Sequence, residues 1–338
     1  MNDAYRIENL PILILEPHNR CNCRCVMCDI WKLQSVQEIT FSDLQSHADD
    51  IEELGVRWVV FSGGEPLMHS DLFRLSSFLR ERGIRTTLLT AGLLLASYAG
   101  SIVRTMDDVI VSLDGPPETH DRIRRVRGAF DLLSAGVRRL NAERVGFPVS
   151  ARTTVQHANH RLLRQTVRCA TNLGLRSISF LAADLDSTAF NRPAGWPPAR
   201  QSQVALTEEE TFELETEIED MIAVLPEYGG FVLETPEKLR RIVVHFRVHL
   251  GLAAATAPRC NAPWVSAVVK PDGAVRPCFF HAAIGNVKRQ SLRDVINSPE
   301  AIAFRRGLNV ATNPTCRRCV CSLYIPAGMT ETRREARA

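Results

Sequence analysis

A chain of 338 residues with 45% apolar content is long enough for one large domain and a smaller one around a sizeable core. Its 41 basic and 38 acidic residues leave a net charge of +3, too even for a nucleic-acid or membrane footprint. Met1 to Arg6 shows no basic start followed by an apolar run, so no export signal is expected and the expected compartment is the cytoplasm.

In chain order, the apolar run Ile12 to Leu15 reads as a first strand. A helix over 41–54 leads to a strand over 57–61, a helix over 70–82 to a strand over 85–89, and a helix over 94–105 to a strand over 109–113. The uncharged stretch 86–103 is interrupted by Gly92, Ser97, Gly100 and Ser101, which suits strand, turn and helix rather than a membrane span. A helix over 128–143, a strand over 149–155, a helix over 160–173 and a strand over 177–181 complete six alternations. That pattern predicts an α/β fold with a parallel sheet and crossover helices. In curved parallel sheets the chemistry sits at the C-terminal strand ends. The polar motifs fall there: Cys21 after the first strand, Gly63-Gly64-Glu65-Pro66 after the second, Thr90-Ala91-Gly92 after the third and Asp114-Gly115-Pro116 after the fourth.

Residues 1–206 thus read as the core, with a Pro- and Gly-bearing loop over 183–206 of the length that is disordered or functional. Two helices over 207–224 and 236–250 lie in a connecting segment, 207–258. A Cys-rich domain with a hairpin at Pro271-Asp272-Gly273 covers 259–326, and the charged end, 327–338, reads as a frayed tail.

Of the 10 cysteines, four fall between Cys21 and Cys28, five between Cys260 and Cys321, and Cys169 sits alone on a helix as a core residue. Without export, such tight spacing points to metal rather than disulfides. Cys21, Cys25 and Cys28 supply three thiolates for the four corners of a [4Fe–4S] cube, leaving one iron open to another ligand. Cys23 is out of step and reads as a small packed residue. The alternative for this set is a zinc site completed by His18.

The spacing Cys-x3-Cys-x2-Cys after a first strand resembles the signature of the radical S-adenosylmethionine (SAM) enzymes, and Gly63-Gly64-Glu65-Pro66 is similar to their GGEP motif. The resemblance implies a partial (β/α)6 barrel in which SAM chelates the open iron and, on reduction, yields methionine and a 5′-deoxyadenosyl radical that takes hydrogen from a substrate. It places the methionine amino group at the GGEP loop, where Glu65 gives a carboxylate–ammonium pair. Ser112 and Asp114 fall where the family contacts ribose and substrate, though Asp114 also reads as a cap. Arg152 falls where relatives hold the SAM carboxylate, and Met27 and Leu181 fall at the adenine. Arg122, Arg124, Arg125 and Arg127 read as a solvated helix start.

Cys260 and Cys278 around the hairpin, with Cys316 and Cys319 near the end, resemble the twitch domain, a shortened SPASM domain that holds one auxiliary [4Fe–4S] cluster. Cys321 could replace Cys319, and a zinc knuckle is the alternative. The resemblance implies an oxidoreductase acting on a small molecule and fed by a flavodoxin- or ferredoxin-type donor. No catalytic acid or base stands out. A peptide maturase is the second expectation. Many of those carry a recognition domain before the barrel, and only about eleven residues precede the first strand here. A non-catalytic iron–sulfur or zinc protein is the third.

Overall fold

A computed structural model describes residues 5–326, so the tail expected over 327–338 lies outside the described residues. Six parallel strands, β1 (Ile12–Leu15), β2 (Trp58–Phe61), β3 (Arg85–Thr90), β4 (Asp108–Ser112), β5 (Val149–Val155) and β6 (Ile178–Ala182), pair in sequence order. Helices α1 (Phe41–Gln45), α2 (Ala48–Glu53), α3 (Leu72–Glu81), α4 (Leu95–Thr105), α5 (Pro117–Arg124), α6 (Ala129–Glu143) and α7 (Leu163–Asn172) make the crossovers. The partial (β/α)6 barrel is therefore present. The longer crossover helices bury an apolar stripe; on α3 it is Leu72, Leu75, Phe78 and Leu79.

Two details depart from expectation. The single helix expected over 41–54 is two. A Thr40–Asp43 capping box starts the first, and His47 at the break lies 3.0 Å from the Val287 carbonyl, which ties the bend to the C-terminal region. Helix α5 was not anticipated as a separate helix: the run from Arg122 read as a helix start, whereas Arg122 and Arg124 belong to the end of α5.

The strands alternate as period two requires. Along β5, Ala151, Thr153 and Val155 are buried toward the helices, while Ser150, Arg152 and Thr154 face the barrel interior less tightly. Register sets Ser112 opposite Arg152 and Arg152 opposite Ser179, so these three side chains form one polar row across β4, β5 and β6. The facing parts of β1 to β4 contribute Ile12, Ile14, Trp58, Val60, Leu89 and Ile110 instead.

After β6 the chain forms α8 (Pro198–Gln201), α9 (Glu208–Ala223) and α10 (Pro236–His249). Thr207 and Glu210 make a reciprocal cap on α9, which explains its legible start. The Cys-rich segment begins with α11 (Ala262–Val265), then β7 (Ser266–Val269), β8 (Ala274–Arg276) and β9 (Gly285–Asn286). The expected hairpin is the β7–β8 turn. This segment does not pack as an isolated module: β7 pairs in parallel with β1, Ile12 opposite Ser266, so one nine-stranded sheet runs through both parts. A bare β1 edge would leave a row of unpaired backbone groups, and β7 covers it. Helices α12 (Leu292–Ile296), α13 (Pro299–Gly307) and α14 (Pro314–Arg317) follow. Asn297 fastens this part to the N-terminus by accepting from the Ile7 N–H at 2.8 Å and donating to its carbonyl at 2.9 Å. Among the described residues no helix is long and apolar enough to cross a membrane.

Candidate active site

Cys21, Cys25 and Cys28 border one open cavity at the C-terminal strand ends, with Gly63, Gly64, Ser112, Arg152, Met27 and Leu181 also on its wall. The cysteine loop is held against the GGEP loop in part by backbone: the Glu65 N–H donates to the Arg20 carbonyl at 2.8 Å. A Cβ at Gly64 would sit 2.0 Å from that carbonyl oxygen, and Gly63 has φ +103°, so neither position tolerates a side chain. Two glycines are thus the condition for the two loops to meet.

Glu65 and Asp114 are fully buried and are not among the residues that line this cavity. Glu65 accepts from the Leu67 N–H at 3.2 Å, from the Thr90 hydroxyl at 2.8 and 2.9 Å, and from the Ala91 N–H at 2.8 Å. Burial pushes its carboxyl up, against the pull of the Ala91, Thr90 and Leu67 donors. Asp114 lies past the end of β4, accepts from the Thr154 N–H at 3.1 Å, and pairs with Arg124 at 2.5 Å. It caps no helix. Arg124 is the exception to the solvated reading of its run: it is 8% exposed, and its other nitrogen lies 3.5 Å from the Cys25 sulfur. A hydrogen bond from Cys23 and the Arg124 charge hold the Cys25 thiol down against the effect of burial, whereas burial pushes Cys28 up to about 12. Cys23 is buried at this contact.

Thiolates, a shared cavity and a nearby buried cation fit an anionic iron–sulfur cluster. They do not fit the zinc alternative with His18. Its Nδ1 accepts from the Arg20 N–H at 3.1 Å, its Nε2 faces the Glu65 carbonyl at 2.8 Å, and burial lowers its pKa to about 4. Both ring nitrogens are taken, so His18 braces the two loops. Among the described residues no three His, Cys, Asp or Glu side chains gather closely enough to hold a single metal ion.

Several wall residues gave no motif in the sequence. The segment 183–206 is a strap folded over the cysteine loop rather than an open loop. Arg192 pairs with Asp184 at 2.9 Å and donates to the Met27 carbonyl at 2.9 Å. The Trp196 indole donates to Asp29 at 2.7 Å. Asp184, Phe190 and Arg192 reach the cavity wall. A Trp between Gly195 and Pro197 was the available signal, since a large aromatic in a polar loop needs something to pack on.

A second cavity lies between the barrel interior and the C-terminal segment. Cys260, Cys278, Cys316, Cys319 and Cys321 all border it, and His281 Nε2 is 3.4 Å from the Cys316 sulfur. All ten cysteines are free thiols. The two cavities share Ser62, Leu89, Ile110 and Arg152 as common wall.

Against known proteins, the radical SAM superfamily profile matches residues 15–168, and the SPASM iron–sulfur cluster-binding domain matches 260–320. The chain is 27% identical over 333 residues to the Fe-coproporphyrin III synthase of Methanosarcina barkeri, covering 92% of this chain and 81% of that one. It is 26% identical over 323 residues to a PqqA peptide cyclase of Ruegeria pomeroyi, covering 91% and 79%. In fold it is similar to Streptococcus suis SuiB bound to S-adenosylmethionine, with a TM-score of 0.66 and 14% identity over 94% of this chain and 73% of SuiB.

Proposed function

This chain is a radical SAM enzyme with a C-terminal SPASM-type iron–sulfur domain, and from that premise we propose that it oxidises a small molecule held between its two cysteine sets. The observation that supports the proposal is that the cavity at Cys21, Cys25 and Cys28 and the cavity at the C-terminal cysteines have Ser62, Leu89, Ile110 and Arg152 in common on their walls. When bound, the first cluster with SAM supplies a 5′-deoxyadenosyl radical for hydrogen abstraction, and the second supplies an acceptor for the electron left on the substrate.

The chain's own residues have these roles in the proposal. Cys21, Cys25 and Cys28 hold the first cluster and leave one iron for SAM. Cys260, Cys278, Cys316 and either Cys319 or Cys321 hold the second with no open corner. Gly63, Gly64 and the Glu65–Pro66 turn present backbone to the methionine amino group, Arg152 meets its carboxylate, Ser112 the ribose, and Met27 and Leu181 the adenine. Asp114 and Glu65 act from behind, holding Arg124 and the strand ends in place. The apolar interior from Ile12 to Ile110 keeps water from the radical. A flavodoxin- or ferredoxin-type protein delivers the first electron.

Likeness to a synthase of Fe-coproporphyrin III over nearly the whole chain supports a small-molecule substrate. Likeness to a PqqA peptide cyclase supports a peptide as the second reading. The test is anaerobic reconstitution with iron and sulfide, then SAM and dithionite. The wild-type protein should form 5′-deoxyadenosine, and Cys21→Ala, Cys25→Ala and Cys28→Ala should each form none. A fully loaded wild-type protein that leaves SAM intact would overturn the proposal.

A further inference from the structure

The three cysteines of the first set stand in unequal surroundings. Arg124 is the last residue of α5, and its Nη1 donates to the Cys25 sulfur at 3.5 Å. Among the described residues no other guanidinium or ammonium donates to a sulfur of Cys21, Cys25 or Cys28. Arg192, the other buried guanidinium on this wall, goes to Asp184 and the Met27 carbonyl instead.

The Arg124–Cys25 contact is fixed from three sides. The Arg24 N–H donates to the Arg124 carbonyl at 3.1 Å, and the Val26 N–H to the Ile123 carbonyl at 3.0 Å. These two bonds flank Cys25 and lay its loop along the end of α5. Arg125 then takes a left-handed φ of +54°, which ends the helix. From behind, Asp114 Oδ2 pairs with Arg124 Nη2 at 2.5 Å, while Asp114 Oδ1 accepts from the Thr154 N–H at 3.1 Å. Strand β5 thus fixes the carboxylate that fixes the guanidinium, and both partners are buried.

The resulting order is carboxylate, guanidinium, sulfur, with the positive end toward the cysteine. Burial opposes the Arg124 charge, but Asp114 and Cys25 outweigh it and push its pKa up. A cluster that takes one electron becomes more negative. Hydrogen bonds and positive charge at its sulfurs favour that reduced form. A buried charge is little screened by solvent or salt, so the effect persists. Asp114 cancels part of it, and in return keeps the buried cation paired.

We infer that Arg124 raises the reduction potential of the first cluster through the Cys25 sulfur, and that Asp114 trims the effect. This rests on the radical SAM reading, in which that cluster accepts an electron from a low-potential one-electron donor before SAM is cleaved. The pair then governs how readily that electron is taken up.

The test is an anaerobic redox titration of the reconstituted protein with dithionite, followed by EPR. SAM is left out of the titration, so no contact between Arg124 and SAM contributes. A parallel sample with SAM identifies the first cluster's signal as the one that SAM alters. At the wild-type midpoint, Arg124→Met should show a reduced-to-oxidised ratio about tenfold lower, as suits the loss of one charge-assisted contact. Arg124→Lys keeps the charge and should restore most of the ratio. Asp114→Asn should raise the ratio above wild type, and Asp114→Asn/Arg124→Met should lie between the two single variants and below wild type. A role in folding alone would not move the single variants in opposite directions. Iron content gives the loaded fraction, on which each ratio is read. If Arg124→Met takes up no iron, the double variant, which buries no unpaired charge, decides against Arg124→Lys and should lie below it. The auxiliary cluster's midpoint should stay constant throughout. Equal ratios in all loaded variants, a lowered ratio in Asp114→Asn, or an equal shift of the auxiliary cluster would overturn the inference. A wild-type protein with no SAM-responsive signal would overturn the radical SAM reading itself, whereas a responsive signal with an unmoved midpoint overturns this inference alone.

Discussion

Glu65→Gln separates a ligand contact from a structural brace. The carboxylate accepts from three donors, all in the fully buried environment between the GGEP loop and the end of β3. A glutamine keeps one oxygen and turns an amide N–H₂ toward another donor, the Ala91 N–H or the Thr90 hydroxyl. Losing one charged acceptor and stranding one buried donor costs ~3 kcal/mol. For 338 residues, with an unfolding entropy of about 2.1 cal/mol/K per residue, that lowers the melting temperature by about 4 °C. Calorimetry on the anaerobically reconstituted variant measures the shift, and equilibrium dialysis measures SAM affinity beside it. The expected result is lower stability together with SAM binding weakened by about tenfold or more, with iron in the first cluster retained. Weaker SAM binding with no loss of stability would refute the reasoning, because the carboxylate would then be a ligand contact and nothing more.

Cys23→Ala should keep 5′-deoxyadenosine formation, and Cys316→Ala should cleave SAM under dithionite while forming little oxidised product; both are read by chromatography of the reaction mixture. Asp114→Asn leaves Arg124 buried without its counter-charge and should cost about 3–5 kcal/mol in denaturant unfolding. Burial beside Arg152 and Lys238 raises the Glu234 pKa from its ordinary 4.5 to about 7, the burial outweighing the two cations. The native state therefore holds this proton more tightly than the unfolded chain does. The stability it contributes is full below pH 4.5 and is lost as pH rises through about 7. Glu234→Gln should flatten that part of the stability–pH curve, measured by chemical denaturation from pH 4.5 to 8.

The barrel was legible because its strands and most of its helices announce themselves locally, by β-branched runs, period-3.6 stripes and caps such as Thr207. That Cys21, Cys25 and Cys28 share one cavity follows from their closeness in sequence. What could not be read were the contacts that cross the chain. Nothing local tells that β7 completes the open edge of β1, since edge pairing depends on which backbone groups remain free after folding. Nothing local distinguishes Arg124 from Arg122, Arg125 and Arg127: its burial follows from α5 turning that one position toward Asp114. That Glu65 and Asp114 are fully buried could not be read either, since it depends on how the chain packs beyond each strand. The strap over 183–206 looked like loop because its order comes from the contacts of Arg192 with Met27 and of Trp196 with Asp29, not from its own periodicity.

The central claim is that two separate clusters face one chamber, and iron counting with EPR on the reduced protein tests it most directly. The wild-type chain should hold about eight iron atoms, two cubes of four. A Cys21→Ala/Cys25→Ala/Cys28→Ala triple variant should hold about four, and its EPR signal should no longer respond to SAM. About four iron atoms in the wild-type protein, or a triple variant that keeps all of its iron, would contradict the account.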